Sequence, residues 1–363
     1  MAKKDSTHYI TLSNSFIYSE STREAYRVSK EDFTRNRKMP FELLVLCMLQ
    51  LLRKSLASEL HHFFNQLNIS FRKVTASAFV QSRKKLKPDL FYDLNHLISN
   101  DYYKDNDETV ELFKGLRLLS IDGSTLNLPL TGSTIAEFGT CNNQKKTDDV
   151  VIARTSVLYD VLNEIVLDGL LKPFSEGEVS LSRAHFDHLK EGDLVIMDRA
   201  YTSFESAYIL LQKKVHFLFR CKTTFSNQIK AFYESGEQES IIKLKAKQNK
   251  SFKNLPYTQD TEITVRALRI ELGTGEVEIL ITSLLDNTLY PYEVFKDLYF
   301  ERWKIETFYD RLKNIINIEN FSGTSPQFIL QEFNCALYMS NMQTILIEDA
   351  ESEVKEIYDA PQN

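Results

Sequence analysis

Residues 299–313, YFERWKIETFYDRLK, carry a phenol, a guanidinium, a carboxylate and an ammonium at Tyr299, Arg302, Glu306 and Lys313. Read as a helix at about 100° per residue, these four sit near-whole numbers of turns apart and point within about 60° of one another. Ile305, Phe308 and Leu312 point roughly the opposite way, toward a core. A solvated face with an i,i+4 pair from Arg302 to Glu306 is the plainer reading of that pattern. Two further carboxylates weigh against it. Asp122 follows the apolar run 116–121, and Asp198 follows 193–197 in GDLVIMDRAY. Both runs read as short buried strands ending at the acid, and strand ends are where ligands gather in α/β sheets. Three carboxylates from three separated elements offer hard oxygen donors suited to Mg²⁺ or Mn²⁺. Two such ions about 3.5–4 Å apart can activate a nucleophile and stabilise the leaving oxygen of a phosphodiester. Each acid alone would read as a cap or turn residue. Jointly, with Arg302 and Lys313 beside Glu306 to hold phosphates, the catalytic reading is the better one.

The elements that must position these groups follow from pattern. Residues 21–100 read mainly as helices: one capped by Ser29, then Phe41–Lys54, Leu56–Leu67, Val74–Leu86 and Phe91–Ser99. The Val74–Leu86 segment, small early and basic late at Arg83, Lys84 and Lys85, could present a helix-turn-helix-like surface to DNA. Lys and Arg also simply suit a helix C-terminus. From residue 116 the order becomes strand, hairpin, helix, strand, helix, strand, which is compatible with a central sheet flanked by helices. Strong β runs at Ile263–Leu272 and Glu276–Leu284 form a β-rich insertion ahead of the Tyr299 helix. A last helix is expected at about Ser325–Ile347. The expected division is therefore 1–108 helical and DNA-binding, 109–221 and 288–350 the two parts of a catalytic core, 222–287 the insertion, and 351–363 a frayed tail.

Composition narrows the class. The chain has 363 residues, 43% hydrophobic and 26% charged, as ordinary soluble domains are. No apolar h-region follows the basic start MAKKDSTHYI, and the longest apolar run, Phe41–Leu52, is too short for a bilayer. Four cysteines, Cys47, Cys141, Cys221 and Cys335, lie far apart, which suits a reducing compartment and argues against a zinc site. The net charge of −6 is uneven: residues 1–100 hold 16 Lys+Arg against 9 Asp+Glu, and the remainder 28 against 41. A basic front ahead of an acidic remainder suggests a DNA footprint at the N-terminus, the alternative being a basic surface without a partner. His185 and His188, in HFDH, could bind metal, but without further His or Cys nearby they read better as surface or core histidines. Tyr201, after Asp198, either stacks or hydrogen-bonds near the site or simply packs, and the Lys-rich loop 243–253 either touches flanking DNA or is solvated.

These motifs together resemble the DDE transposases of bacterial insertion sequences, in the insertion-sequence-four family. That family carries Tyr, two residues, Arg, three residues, Glu, six residues, Lys, the spacing of Tyr299, Arg302, Glu306 and Lys313. Its first aspartate lies in a strand like LLSIDGSTL, matching Asp122; its second lies in a motif like DRGY, here DRAY with Asp198. The resemblance covers roughly residues 116–325. It implies an α/β, ribonuclease-H-like mixed sheet with flanking helices, interrupted before the last catalytic helix, behind an N-terminal helical domain. It implies a cytoplasmic enzyme that nicks transposon ends, exposes a 3′-hydroxyl and joins it to target DNA, often through a hairpin. It further implies two Mg²⁺ ions replaceable by Mn²⁺, with Asp122 touching both and Asp198 and Glu306 one each. Tyr299, Arg302 and Lys313 would position phosphates, and a homodimer would hold two terminal inverted repeats. An inactive DNA-binding regulator needs no intact acid triad; a nuclease without strand transfer would share the metal chemistry.

Overall fold

An eight-stranded sheet organises the chain in the computed structural model, which describes residues 4–35, 39–50, 53–69, 74–104, 110–141, 150–246, 257–272 and 275–359. Its strands are β1 (Arg117–Leu128), β2 (Val151–Asp160), β3 (Ile165–Pro173), β4 (Asp193–Met197), β5 (His216–Cys221), β6 (Glu239–Lys245), β7 (Glu262–Glu271) and β8 (Val277–Thr282). Their spatial order is β3-β2-β1-β4-β5-β8-β7-β6. The first three form an antiparallel meander, whereas β1–β4 and β4–β5 pair in parallel. This 3-2-1-4-5 arrangement is a mixed sheet of the kind expected from the sequence. The strands of residues 222–287 extend the same sheet, with β8 pairing antiparallel to β5.

Each face of the sheet has its own core because side chains alternate along a strand. Leu118, Leu194, Ile196, Leu218 and Leu280 point to one face. Covering them are α11 (Val294–Phe300) and α12 (Lys304–Asp310), through Phe295, Leu298, Ile305 and Phe308. Leu119, Ile121, Val195, Met197 and Phe217 point the other way, into a core shared with the N-terminal helices. Those helices are α1 (Ser6–Ile17), α2 (Glu20–Tyr26), α3 (Phe41–Leu49), α4 (Leu56–Gln66), α5 (Ala76–Arg83) and α6 (Asp89–Tyr102). Between the strands lie α7 (Gly132–Phe138), α8 (Glu178–Ala184), α9 (Phe204–Gln212) and α10 (Asn227–Ser235). The final helix α13 (Pro326–Asp359) serves both faces: Phe333 and Leu337 join one core, Tyr338 and Met342 the other.

Several boundaries differ from expectation. No helix begins at Ser29, where Asp32 accepts the Ser29 amide in a local turn instead. The helix from Phe41 stops at Leu49, and Leu51–Leu52 lie outside the described residues. The last helix continues to Asp359, through residues expected to fray. Of the Lys-rich loop 243–253, residues 243–245 lie in β6 and 247–253 fall outside the described residues. All four cysteines are free. Among the described residues, no helix is long and apolar enough to cross a membrane.

Candidate active site

Asp122 is not at the end of its strand, because β1 continues to Leu128 in antiparallel pairing with β2. The strand end that matters lies on its other side. Parallel pairing with β4 stops at Ser120↔Ile196. Asp122 and Asp198 each come two residues after that last pair. Period-two alternation therefore sends both toward the face covered by α11 and α12. Both stand beyond the point where the two parallel neighbours part, which is the usual ligand position of an open α/β sheet. Arg220 on β5 and Glu278 on β8 continue the same row of side chains across the sheet.

The helix above supplies the third carboxylate. Residues 294–315 are continuous but not one α-helix. A 3₁₀ turn at Glu301–Trp303 separates α11 from α12, and a π-helical turn follows at Arg311–Ile315. The uniform 100° reading therefore fails at both ends of the motif. The apolar side holds, with Ile305, Phe308 and Leu312 buried. The polar row does not face solvent: Tyr299 and Arg302 are buried and look down into the crevice, while Glu306 stays exposed above it. Single π turns recur at functional sites, and this one carries Lys313, whose Nζ donates to Ser124 Oγ at 2.7 Å.

Arg302 ties the site together. Its guanidinium lies 2.9 Å from Glu306 Oε1 and 3.6 Å from Asp122 Oδ2. Asp122 Oδ1 accepts from the Tyr201 hydroxyl at 2.9 Å and from the Gly123 amide at 2.8 Å. This resolves Tyr201 as a hydrogen-bonding neighbour of the first acid. Gly123 fits that contact, since a Cβ there would stand 3.0 Å from the Tyr201 hydroxyl oxygen. Asp198 Oδ1 accepts from the Tyr299 hydroxyl at 3.3 Å and pairs with Arg220 Nε at 3.1 Å. The oxygens of Asp122, Asp198 and Glu306 do not all come within 4.8 Å of one another. A pair of ions about 3.5–4 Å apart needs no such convergence, since the outer acids serve different ions. The donor set, three carboxylates with cationic side chains already beside them, fits hard divalent cations.

Burial raises the pKa of Asp122; the Gly123 amide, the Tyr201 hydroxyl and Arg302 pull it back, and Glu306 adds to the rise. A carboxyl whose folded pKa lies above its unfolded one stabilises the fold below the unfolded value and loses that contribution as pH rises through the folded value. Asp122→Asn is therefore expected to raise the unfolding midpoint of the metal-free protein near pH 7. The gain should shrink toward the usual carboxylate range; thermal melts across that pH series check it. A variant less stable than the parent at pH 7 contradicts the sign.

The N-terminal basic residues divide. Arg83 is 1% exposed, and all three of its guanidinium nitrogens are bonded inside the fold. Its guanidinium donates to Gln331 Oε1, Ser322 Oγ, the Phe328 carbonyl and Glu332 Oε1, at 2.7 to 2.9 Å. The expected DNA contact at Arg83 is thus corrected: it anchors α5 to α13. Lys84 is exposed, and Lys85 pairs with Asp32 at 2.9 Å. His185 is fully buried, as a core histidine should be, against Asp168 and Ser156. Sequence reasoning missed Arg220, Ser124 and Tyr309, whose hydroxyl donates to the Asp122 carbonyl at 3.0 Å; Ser124 and Tyr309 lie inside the quoted stretches but outside the spacing that marked the others.

Residues 114–342 match the family model described as "Transposase DDE domain". The transposase InsG for insertion sequence element IS4 of Escherichia coli (strain K12) is 23% identical over 320 residues, spanning 85% of this chain and 70% of the relative. Among solved structures, a piggyBac transposase synaptic complex with hairpin DNA overlaps 95% of this chain and 76% of its own, at 10% identity and a TM-score of 0.49.

Proposed function

The chain belongs to the transposase DDE domain family, and from that premise we propose that Asp122, Asp198 and Glu306 are its catalytic acids, holding two Mg²⁺ ions that Mn²⁺ can replace. The observation that carries this is the shared offset of Asp122 and Asp198 beyond the last β1–β4 pair, with Glu306 joined to Asp122 through Arg302. Bound there, the ions would supply charge to polarise the scissile phosphodiester and lower the pKa of the attacking oxygen.

The protein's own groups prepare the site. Tyr201 and the Gly123 amide both bind Asp122 Oδ1, which fixes the carboxylate and leaves Oδ2 facing the crevice. Burial and the charge of Asp122 push the Tyr201 phenol well above its usual pKa, so it stays a donor. Arg302 neutralises Asp122 and Glu306 in the protein alone. With cations present, it is freed to grip a DNA phosphate, as a planar guanidinium does well. Tyr299 steadies Asp198, and Lys313, on its π turn, contacts a phosphate of the transposon end. Lys84 and Lys85 add backbone contacts from the N-terminal helices. Two copies hold two terminal inverted repeats and join the exposed 3′-hydroxyls to target DNA.

Incubating the untagged protein with Mg²⁺, labelled terminal-repeat DNA and a target plasmid tests the assignment. Joined products are expected. Binding without cleavage would indicate a regulator, and cleavage without joining a nuclease. Lys313→Ala should weaken end binding and flatten the log–log salt slope by about 0.9, one phosphate's worth of counterion release. An unchanged slope removes Lys313 from the DNA.

A further inference from the structure

On the far edge of the sheet, three residues from separate parts of the chain meet at a second polar site. His96 comes from α6, Asp168 from the edge strand β3, and His188 from the 3₁₀ turn His185–His188 that follows α8. Their ligand atoms all lie within 4.8 Å of one another. His96 Nε2 stands 3.4 Å from Asp168 Oδ1, and His188 Nε2 stands 3.5 Å from Asp168 Oδ2. Two donors each about 2.1 Å from one ion at a tetrahedral angle stand about 3.4 Å apart.

The facing polar atoms leave a place for a cation. Asp168 is 1% exposed, and its Oδ1 has no hydrogen-bond partner; neither does buried His96 Nε2 beside it. The two atoms face each other at 3.4 Å as an ion pair without a hydrogen bond, and one ion between them would bind both. The outer frame is already built. His185 Nδ1 bonds Asp168 Oδ2 at 2.6 Å, and Ser156 holds the other ring nitrogen at 3.0 Å. Outer partners of this sort orient ligating carboxylates. The two candidate imidazoles lie stacked, ring centres 4.9 Å apart and planes 18° apart. Beside them opens a cavity of about 170 Å³ lined in part by Ser99, Asn100 and Lys190, with room for a water as fourth ligand.

We propose that His96, Asp168 and His188 bind one divalent transition-metal ion of the zinc class, which pins α6 to the sheet edge. Two imidazole nitrogens select such an ion over Mg²⁺ or Ca²⁺. Because the ligands are 72 and 20 residues apart along the chain, the ion closes two loops and acts as a structural clip. The site is separate from the acid triad and does not depend on its assignment.

Chelator-treated, untagged full-length protein carrying Glu306→Gln, to weaken metal uptake at the triad, is titrated with Co²⁺ and then Zn²⁺. The expected result is one equivalent of Co²⁺ with visible ligand-field bands of a tetrahedral nitrogen-containing site. Zn²⁺ should displace it and raise the unfolding midpoint, while millimolar Mg²⁺ should not. His188→Gln, at a half-exposed position, and His96→Gln should each weaken binding by at least about tenfold. Absent bands, or binding unchanged in both histidine variants, overturns the proposal. Circular dichroism confirms that each variant is folded, and Asp122→Asn, which leaves this site intact, should bind Co²⁺ as the parent does.

Discussion

Asp122→Asn, Asp198→Asn and Glu306→Gln should each abolish cleavage and joining at transposon ends while end binding persists. The size of the effect follows from what each acid does. A bound cation contributes several kcal/mol to the charge that develops in phosphoryl transfer, and about 4 kcal/mol is about a thousandfold in rate. Losing a direct ligand should therefore lower the rate by about that factor or more. DNA binding rests on other groups, chiefly cations on the surface, so it should survive or tighten as negative charge leaves the crevice. Glu306→Gln is the cleanest of the three, because Glu306 is exposed and its i,i+4 pair with Arg302 is a small contribution to stability. A gel assay on labelled ends reads binding and cleavage from the same lanes. Cleavage within tenfold of the parent in any variant removes that residue from the site.

The second large effect is on folding. Glu332, 4% exposed, accepts from Arg83 at 2.8 Å and from Arg53 at 3.0 Å, and also binds Ser322. Breaking one side of a buried ion pair costs about 3–5 kcal/mol, because the other charge remains buried without compensation. Arg83→Met leaves Glu332 with Arg53, so its cost should fall near the lower end, about 3 kcal/mol. Glu332→Gln leaves two guanidiniums facing each other and should cost more, about 5 kcal/mol. Urea unfolding of the two variants checks the order. The reverse order, or losses under about 1 kcal/mol, would mean that the pair contributes little. Arg83→Met should leave the salt dependence of DNA binding unchanged at temperatures where it stays folded, which separates an anchoring role from a phosphate contact.

What the sequence made legible was local. The runs ending in Asp122 and Asp198 and the Tyr–Arg–Glu–Lys spacing are short-range patterns. The β1–β4 register that gives the two aspartates the same offset beyond the last pair is not, since it depends on pairing across 76 residues. Periodicity located Ile305, Phe308 and Leu312 correctly on the buried side. It could not foresee the 3₁₀ and π turns, nor that Tyr299 and Arg302 would be buried while Glu306 stays exposed. Arg83 was misplaced for a related reason. At the end of a short helix it reads as part of a basic patch, and its buried partners lie some 240 residues onward. His188 looked isolated because His96 and Asp168 reach it only through the fold. Contacts that close over long stretches of chain leave no trace in spacing.

The most direct measurement is anomalous scattering from Mn²⁺ in crystals of the protein bound to a transposon-end duplex. Two peaks about 3.5–4 Å apart are expected over the scissile phosphate, with Asp122 reaching both and Asp198 and Glu306 one each. Peaks that leave any of these three carboxylates unligated, with Arg302 still bridging Asp122 and Glu306, would contradict it.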